Sequence, residues 1–211
     1  LESIKEKLMP WQKGFKIIEE GANRIGRVLS DFWIAYDLEG EKIKLVLERM
    51  DIKELIEMVI DEKKKMEIFK TKKLAINFTL PGFSPPLLLA DHRRIAFVIA
   101  SLLDNAIFYT DKGGVEISLA LEKKGRTEFL KVYVTDTGAG MKEEDIPLLF
   151  KKFSRGTSAS LLHPDGSGLR LYISKHIIEY SGGELKLEKT GLGKGSTFSF
   201  TLPLPANRKI Q

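Results

Sequence analysis

The chain has 211 residues, 43% hydrophobic and 30% charged, with a net charge of +5 and no cysteine. That length holds one large domain, or one domain with an appendage. Without cysteine there is neither a disulfide framework nor a thiolate metal site, and His92, His163 and His176 lack zinc spacing. The lysines interleave with glutamates, as in Asp61-Glu62-Lys63-Lys64-Lys65-Met66-Glu67. This is the pattern of a solvated helix face, so no nucleic-acid partner is expected despite the basic balance. No apolar run is long enough to span a bilayer and the first residues do not resemble a signal peptide. The expectation is a soluble, cytoplasmic fragment, compatible with a membrane-anchored parent.

Residues 1–9 end at Pro10, which is expected to stop a helix at its predecessor. Beyond it Phe15, Ile18, Ala22, Ile25, Leu29, Phe32 and Tyr36 alternate steps of three and four, an a/d seam. Such a seam packs in a bundle with another helix, or else lies on its own domain. Gly40 supplies a stop, which sets a boundary between a helical segment, 1–40, and a domain, 41–211. An apolar stretch from Ile43 to Leu47 follows. Asp51 with Glu54 forms a capping box for a helix to about Lys70. Ile76 to Leu80 alternates as a strand, Pro81-Gly82 and Pro85-Pro86 mark a loop, and Leu87 to Ala90 reads as a buried strand. Asp91 opens a helix from about Arg93 to Tyr109. Val115, Ile117, Leu119 and Leu121 form a half-buried strand, Gly125 turns the chain, and Leu130, Val132 and Val134 return. A glycine-rich region from Thr137 to Gly168 contains a short helix near Glu143 to Phe150. A further helix spans about Leu169 to Tyr180. Leu185 and Leu187 mark a strand, Gly191 to Gly195 a turn, and Phe198, Phe200 and Leu202 a last strand. Two strand pairs joined by tight turns favour a mixed sheet with helices on one face over a doubly wound parallel sheet.

Three segments carry candidate chemistry. Asn105, in Ser101-Leu-Leu-Asp104-Asn105-Ala106-Ile107-Phe108-Tyr109-Thr110, is a poor helix former in mid-helix. It is a ligand or a solvent-facing residue, and it shares a stripe with Ser101, Phe108 and Tyr109. In Val134-Thr135-Asp136-Thr137-Gly138-Ala139-Gly140-Met141 a strand delivers a carboxylate into a glycine turn, where a backbone can approach a ligand closely; ordinary turns use the same residues. Asp165-Gly166-Ser167-Gly168-Leu169 opens a helix, whose free N–H groups suit phosphate or simply mark a capped start.

In this order and at these separations the three segments resemble the N, G1 and G2 boxes of the GHKL superfamily. Leu149-Phe150-Lys151-Lys152-Phe153-Ser154-Arg155-Gly156 resembles the F box of sensor histidine kinases, and Gly183-Glu184-Leu185 with Gly193 to Phe200 resembles the end of their catalytic domain. The resemblance covers about Asp51 to Pro203, and the first helix is similar to the second helix of the dimerisation domain. It implies a two-layer α/β (α+β) sandwich, with a mixed, mostly antiparallel sheet and three helices on one face, preceded by a long bundle helix. It implies ATP and magnesium as cofactors. By resemblance Asp136 accepts the adenine amine, Asn105 binds magnesium (Mg2+), Tyr109 lies beside the nucleotide, and Gly138, Gly140 and Met141 form the turn that admits the base. Gly166, Ser167, Gly168 and Leu169 cradle phosphates, and Thr197 lies near the adenine aspartate. Phe150 to Ser167 correspond to an ATP lid, with Phe150 and Phe153 as its latch. The implied partners are a response regulator, the parent's own acceptor helix and a second copy through Phe15 to Tyr36.

Several departures matter. No catalytic phosphoacceptor histidine is present, since His92, His163 and His176 all sit in other contexts; this chain alone is not expected to autophosphorylate. Phe108 stands where the family has a base, with Lys112 one turn on as a substitute. Arg170 replaces a glycine in Gly166-Ser167-Gly168-Leu169-Arg170-Leu171, and its guanidinium either helps hold the nucleotide or blocks it. A degenerate module with weak or no nucleotide binding is therefore the alternative. Ser101 replaces the glutamate that activates water in the related ATPases, which argues against an ATP hydrolase.

Overall fold

The computed structural model describes residues 2–40, 44–80, 82–154 and 167–205. The chain divides into two compact units, Leu1–Lys42 and Ile43–Gln211.

The first unit is one helix, α1 (Glu2–Glu39). Pro10 does not end it, contrary to expectation. A proline in a helix interior forfeits one hydrogen bond and crowds a carbonyl, at about 3 kcal/mol. Here the backbone bonds of a 38-residue helix outweigh that loss. At the other end Gly40 N–H closes the last turn on the Tyr36 carbonyl, at 3.2 Å. Phe15, Ile18, Ile25, Leu29, Phe32 and Tyr36 of the seam are all exposed.

In the second unit β1 (Glu48–Met50) pairs antiparallel with β3 (Leu88–Ala90) as a small separate sheet. Leu89 is exposed on that sheet, so the segment read as a buried strand is buried on one side only. Between them lie α2 (Ile52–Lys64), α3 (Glu67–Lys72) and β2 (Ala75–Thr79). Asp51 caps α2 as expected, accepting from Lys53 N–H at 2.8 Å and Glu54 N–H at 3.3 Å. The helix foreseen as continuous to Lys70 breaks at Met66, whose backbone is extended. The break turns Lys72 to the end of the next helix, α4 (His92–Tyr109). There its ammonium donates to the carbonyls of Ile107, Phe108 and Thr110 at 3.2, 2.7 and 3.1 Å and pairs with Asp111 at 3.1 Å. A cation that satisfies three C-terminal carbonyls stabilises a helix end that carries no basic residue of its own. Asp91 caps the other end through Arg94 N–H and also accepts from Val46 N–H at 3.0 Å, tying the entering chain to α4.

The remaining elements are β4 (Gly114–Lys124), β5 (Thr127–Asp136), a 3-10 turn at Glu143–Leu148, α5 (Arg170–Tyr180), β6 (Leu185–Thr190) and β7 (Ser196–Pro203). The five-stranded sheet has the order β2-β4-β5-β7-β6, with β2 parallel to β4 and every other pair antiparallel. This is the mixed, mostly antiparallel sheet foreseen. Alternation puts Val115, Ile117, Val132, Val134, Phe198 and Phe200 on one face. Ile56 and Val59 of α2, Ile95, Ile99 and Leu103 of α4, and Ile173 and Ile177 of α5 are buried with them.

Candidate functional site

The last core-facing position of β5 is Asp136, only 8% exposed. Its Oδ1 accepts two backbone N–H groups, from Gly138 at 2.8 Å and Ser196 at 3.2 Å. Both bonds fall on one oxygen, so among the described residues Oδ2 remains an open acceptor. Burial raises the carboxyl above its ordinary range, and the two backbone donors only partly oppose this. A buried carboxylate with one anchored oxygen and one open oxygen is suited to accept an N–H from a planar ligand.

The glycine loop after Asp136 is gripped on two sides. Ala139 N–H reaches the Tyr109 carbonyl at 2.9 Å, and a Cβ on Gly138 would lie 2.3 Å from that same oxygen. On the other side Ala139 O accepts from Gly193 N–H at 2.7 Å and Gly138 O from Gly195 N–H at 3.0 Å. Gly140 has φ +66° and would drive a Cβ to 1.8 Å from the Gly191 carbonyl. These glycines therefore serve backbone packing between α4 and the β6–β7 turn. Met141 joins the same cluster, its N–H donating to Thr190 Oγ1 at 3.0 Å, and Thr190 Oγ1 lies 2.9 Å from Ser196 Oγ.

Thr197 does not sit beside Asp136. The register sets Asp136 opposite Ser196 and Thr135 opposite Thr197. Neighbouring strand residues face opposite ways, so Thr197 lies on the far face, where its hydroxyl is 3.1 Å from that of Thr135. Ser196 is the residue that sequence reading missed. The signal was available: Phe198, Phe200 and Leu202 face the core, and the same alternation puts Ser196 there too.

On α4, Asn105 and Tyr109 share a face, one turn apart, and the Tyr109 carbonyl is where the glycine loop lands. Asn105 is half-buried, and among the described residues its amide has no partner. Its carbonyl oxygen suits a hard cation whose shell is otherwise water and phosphate. Ser101, expected on that stripe, is 1% exposed and turned into the core. It can neither touch bulk water nor activate it.

Ahead of α5 the described residues begin at Ser167; Gly166 and His163 lie outside them, as does 155–165 of the proposed lid. Ser167 Oγ accepts from Leu169 N–H at 3.3 Å. Gly168, at φ +68°, abuts the Phe153–Ser154 backbone, where a Cβ would meet atoms at 2.9 Å. Of the two latch residues, the Phe150 ring lies 5.3 Å from the Lys175 ammonium on α5, while Phe153 is 63% exposed. The Arg170 side chain is engaged by α4. Its Nη1 donates to Asp104 Oδ2, its guanidinium stands 5.2 Å over the Phe97 ring, and Lys63 Nζ lies 2.6 Å from Asp104 Oδ1.

Residues 90–206 match the family model of the histidine kinase-, DNA gyrase B- and HSP90-like ATPases. The chain is 30% identical over 189 residues to hybrid signal transduction histidine kinase L of Dictyostelium discoideum, covering 89% of this chain and 11% of the relative. It is 35% identical over 126 residues to sensor histidine kinase GacS of Pseudomonas protegens, covering 59% of this chain and 14% of the relative. The chain thus spans a small part of the curated relatives it matches. Among solved structures, full-length ShkA in complex with AMPPNP superposes with a TM-score of 0.74 at 24% identity, over 89% of this chain and 37% of that one. Among the described residues no helix is long and apolar enough to cross a membrane. By the match over most of its second unit, this chain belongs to the histidine kinase-, DNA gyrase B- and HSP90-like ATPase family, and the curated relatives it matches are histidine kinases.

Proposed function

We propose that residues 41–211 bind ATP with magnesium and present the γ-phosphate to a histidine outside this chain, from which the phosphoryl group passes to an aspartate of a response regulator. The observation that carries the reading is Asp136, with Oδ1 fixed by two backbone donors and Oδ2 open beside the glycine loop. The exocyclic amine of adenine donates to Oδ2. Guanine has a carbonyl at that place, and two acceptors would face each other, which makes the site selective for adenine. Asn105 holds magnesium through its side-chain oxygen, Tyr109 flanks the nucleotide, and the N–H groups from Gly166 to Leu169 receive the phosphates. The magnesium that Asn105 would hold would supply neutralisation of charge that develops during transfer. The residues here position the reactants in line and leave the attack to the incoming imidazole nitrogen.

The AMPPNP in the ShkA structure supports nucleotide binding as the domain's role. The degenerate alternative rests on Phe108 and Arg170; against the second ground stands the engagement of the Arg170 guanidinium with Asp104. The segment 1–40 is one helix of the dimerisation hairpin, and its exposed seam from Phe15 to Tyr36 meets a second copy and the parent's acceptor helix on the cytoplasmic side. The test is calorimetric titration of the chain with a non-hydrolysable ATP analogue, with and without magnesium. Magnesium-dependent binding that disappears in Asn105→Ala is the expected result; a folded chain that binds nothing at millimolar nucleotide refutes the reading.

A further inference from the structure

We propose that Arg170 is a positioning residue which, through Asp104, sets the start of α5 and its phosphate-facing turn at a fixed place relative to Asn105. The proposal rests on the ATP-binding reading above. Asp104 is the chain neighbour of Asn105, and Arg170 is the chain neighbour of Leu169, so one ion pair links the two halves of the site across 66 residues of sequence.

Three observations point to this role. First, α5 starts without a side-chain cap hydrogen bond at Leu169. Among the described residues no side chain caps its first N–H groups, which suits phosphate, and the turn's ties include Leu169 N–H to Ser167 Oγ and the contact of Gly168 with the Phe153–Ser154 backbone. Second, a cation in the first turn of a helix opposes the helix dipole. An arginine there is locally unfavourable unless something compensates. Asp104 and the Phe97 ring compensate, and they hold the guanidinium against α4. Lys63, from the last turn of α2, shares the same carboxylate and braces it from the third helix. Third, the α4–α5 interface carries two small polar side chains at this level. Ser101 lies between Phe97 and Asp104 on the α4 stripe, and Ser174 is one turn beyond Arg170 on α5; both are buried, and among the described residues their hydroxyls have no partner. Small polar side chains do not fix how far one helix slides along another. A guanidinium strut between fixed points does. Where a glycine in this place would set the spacing by close contact, this chain sets it by an ion pair.

The experiment compares wild type, Arg170→Gly, Arg170→Lys, Asp104→Asn and the double variant Arg170→Gly/Asp104→Asn. Each is titrated with the magnesium complex of a non-hydrolysable ATP analogue and with adenosine, and each is melted thermally. The expected result is an affinity for the triphosphate analogue about tenfold weaker in Arg170→Gly. Adenosine binding stays within about twofold, because the Asp136 end is untouched. Arg170→Lys recovers most of the loss, since a cation at that place still reaches Asp104. Asp104→Asn loses as much as Arg170→Gly, and the double variant is no worse than either, as for two halves of one link. A tighter triphosphate complex in Arg170→Gly overturns the proposal and makes the arginine an obstruction. Tighter binding in Asp104→Asn, or additive losses, overturns it by making Arg170 a direct phosphate contact. Adenosine affinity falling in step with the melting temperature overturns it in favour of general packing. Unchanged triphosphate affinity in all variants defeats the proposal alone, whereas a wild-type chain that binds neither ligand defeats it together with the ATP reading.

Discussion

Replacing Asp136 by asparagine separates two roles that alanine would confound. Oδ1 holds the N–H groups of Gly138 and Ser196, and Oδ2 faces the proposed base. Alanine removes both acceptors and leaves two buried donors unpaired, at about 1–3 kcal/mol each, so lost binding in Asp136→Ala would reflect a damaged loop as much as a lost contact. Asparagine keeps an oxygen for both N–H groups and replaces the open oxygen by an amide NH2. Toward adenine this sets donor against donor. Removing a hydrogen bond to a charged group is worth about 1.5–3 kcal/mol, so ATP-analogue affinity is expected to fall about ten- to a hundredfold. Toward guanine the same NH2 meets a carbonyl, so the preference for ATP over GTP should shrink or reverse. Stability should move the other way. Burial raises the Asp136 carboxyl, so across the window from the unfolded carboxylate value up to the raised native one the folded chain binds more protons than the unfolded chain. Stability from this group is therefore fully present below that window and is lost as pH rises through the native value. Ionised Asp136 thus weakens the fold at neutral pH, and Asp136→Asn should be at least as stable as wild type there, with the gap closing as pH falls through the window. Urea unfolding at several pH values, with parallel ATP and GTP titrations, provides both readouts. An asparagine variant as unstable as the alanine one would refute the desolvation argument; one that binds ATP like wild type would refute the assignment of Oδ2.

Lys72→Met keeps the alkyl stem but leaves the carbonyls of Ile107, Phe108 and Thr110 without their cation; urea unfolding should show a loss of about 2–3 kcal/mol. Gly140→Ala must place a Cβ against the Gly191 carbonyl at a left-handed φ and should cost about 3 kcal/mol or more in the same assay. The control is Gly193→Ala, which has a similar φ but nothing within 4 Å, and should cost only about 1–2 kcal/mol. Thr197→Val removes only the contact with the Thr135 hydroxyl on the far sheet face. Calorimetry should find ATP-analogue affinity within about twofold of wild type, and a loss as large as that of Asp136→Asn would restore Thr197 to the adenine site.

The sheet was legible because its residues obey one local rule. Strict alternation in β4 and β5 and the aspartates that cap α2 and α4 put strands and helix starts where the structure has them. The same alternation carried Asp136 to the core face, and it would have carried Ser196 there had it been preferred over motif matching, which slid by one residue to Thr197. The break at Met66 left no trace, since neither proline nor glycine marks it. Its cause lies at a distance, in the carbonyls at the end of α4 that Lys72 satisfies. Arg170 was legible as an oddity and illegible as a contact, because nothing near residue 170 announces Asp104 as its partner. Local rules are written along the chain, while ion pairs between helices are written only in the packing.

The two ends of the site are consequently built to different mechanical standards. At the proposed adenine end, Gly138, Gly140 and Gly195 lock backbone to backbone between the end of α4, the end of β5 and the β6–β7 turn, and a Cβ at any of them would strike a carbonyl oxygen at 2.3 Å or less. A shift there would disturb β5 or β7, so the proposed base contact is held by the core, and damage to it should register as unfolding. At the proposed phosphate end, α5 is tied to α4 by side chains: Arg170 on Asp104, with Lys63 behind it. Side-chain ties can lengthen or exchange without unfolding a domain. Substitutions there should change how tightly a triphosphate is held, and leave the fold and the choice of base alone.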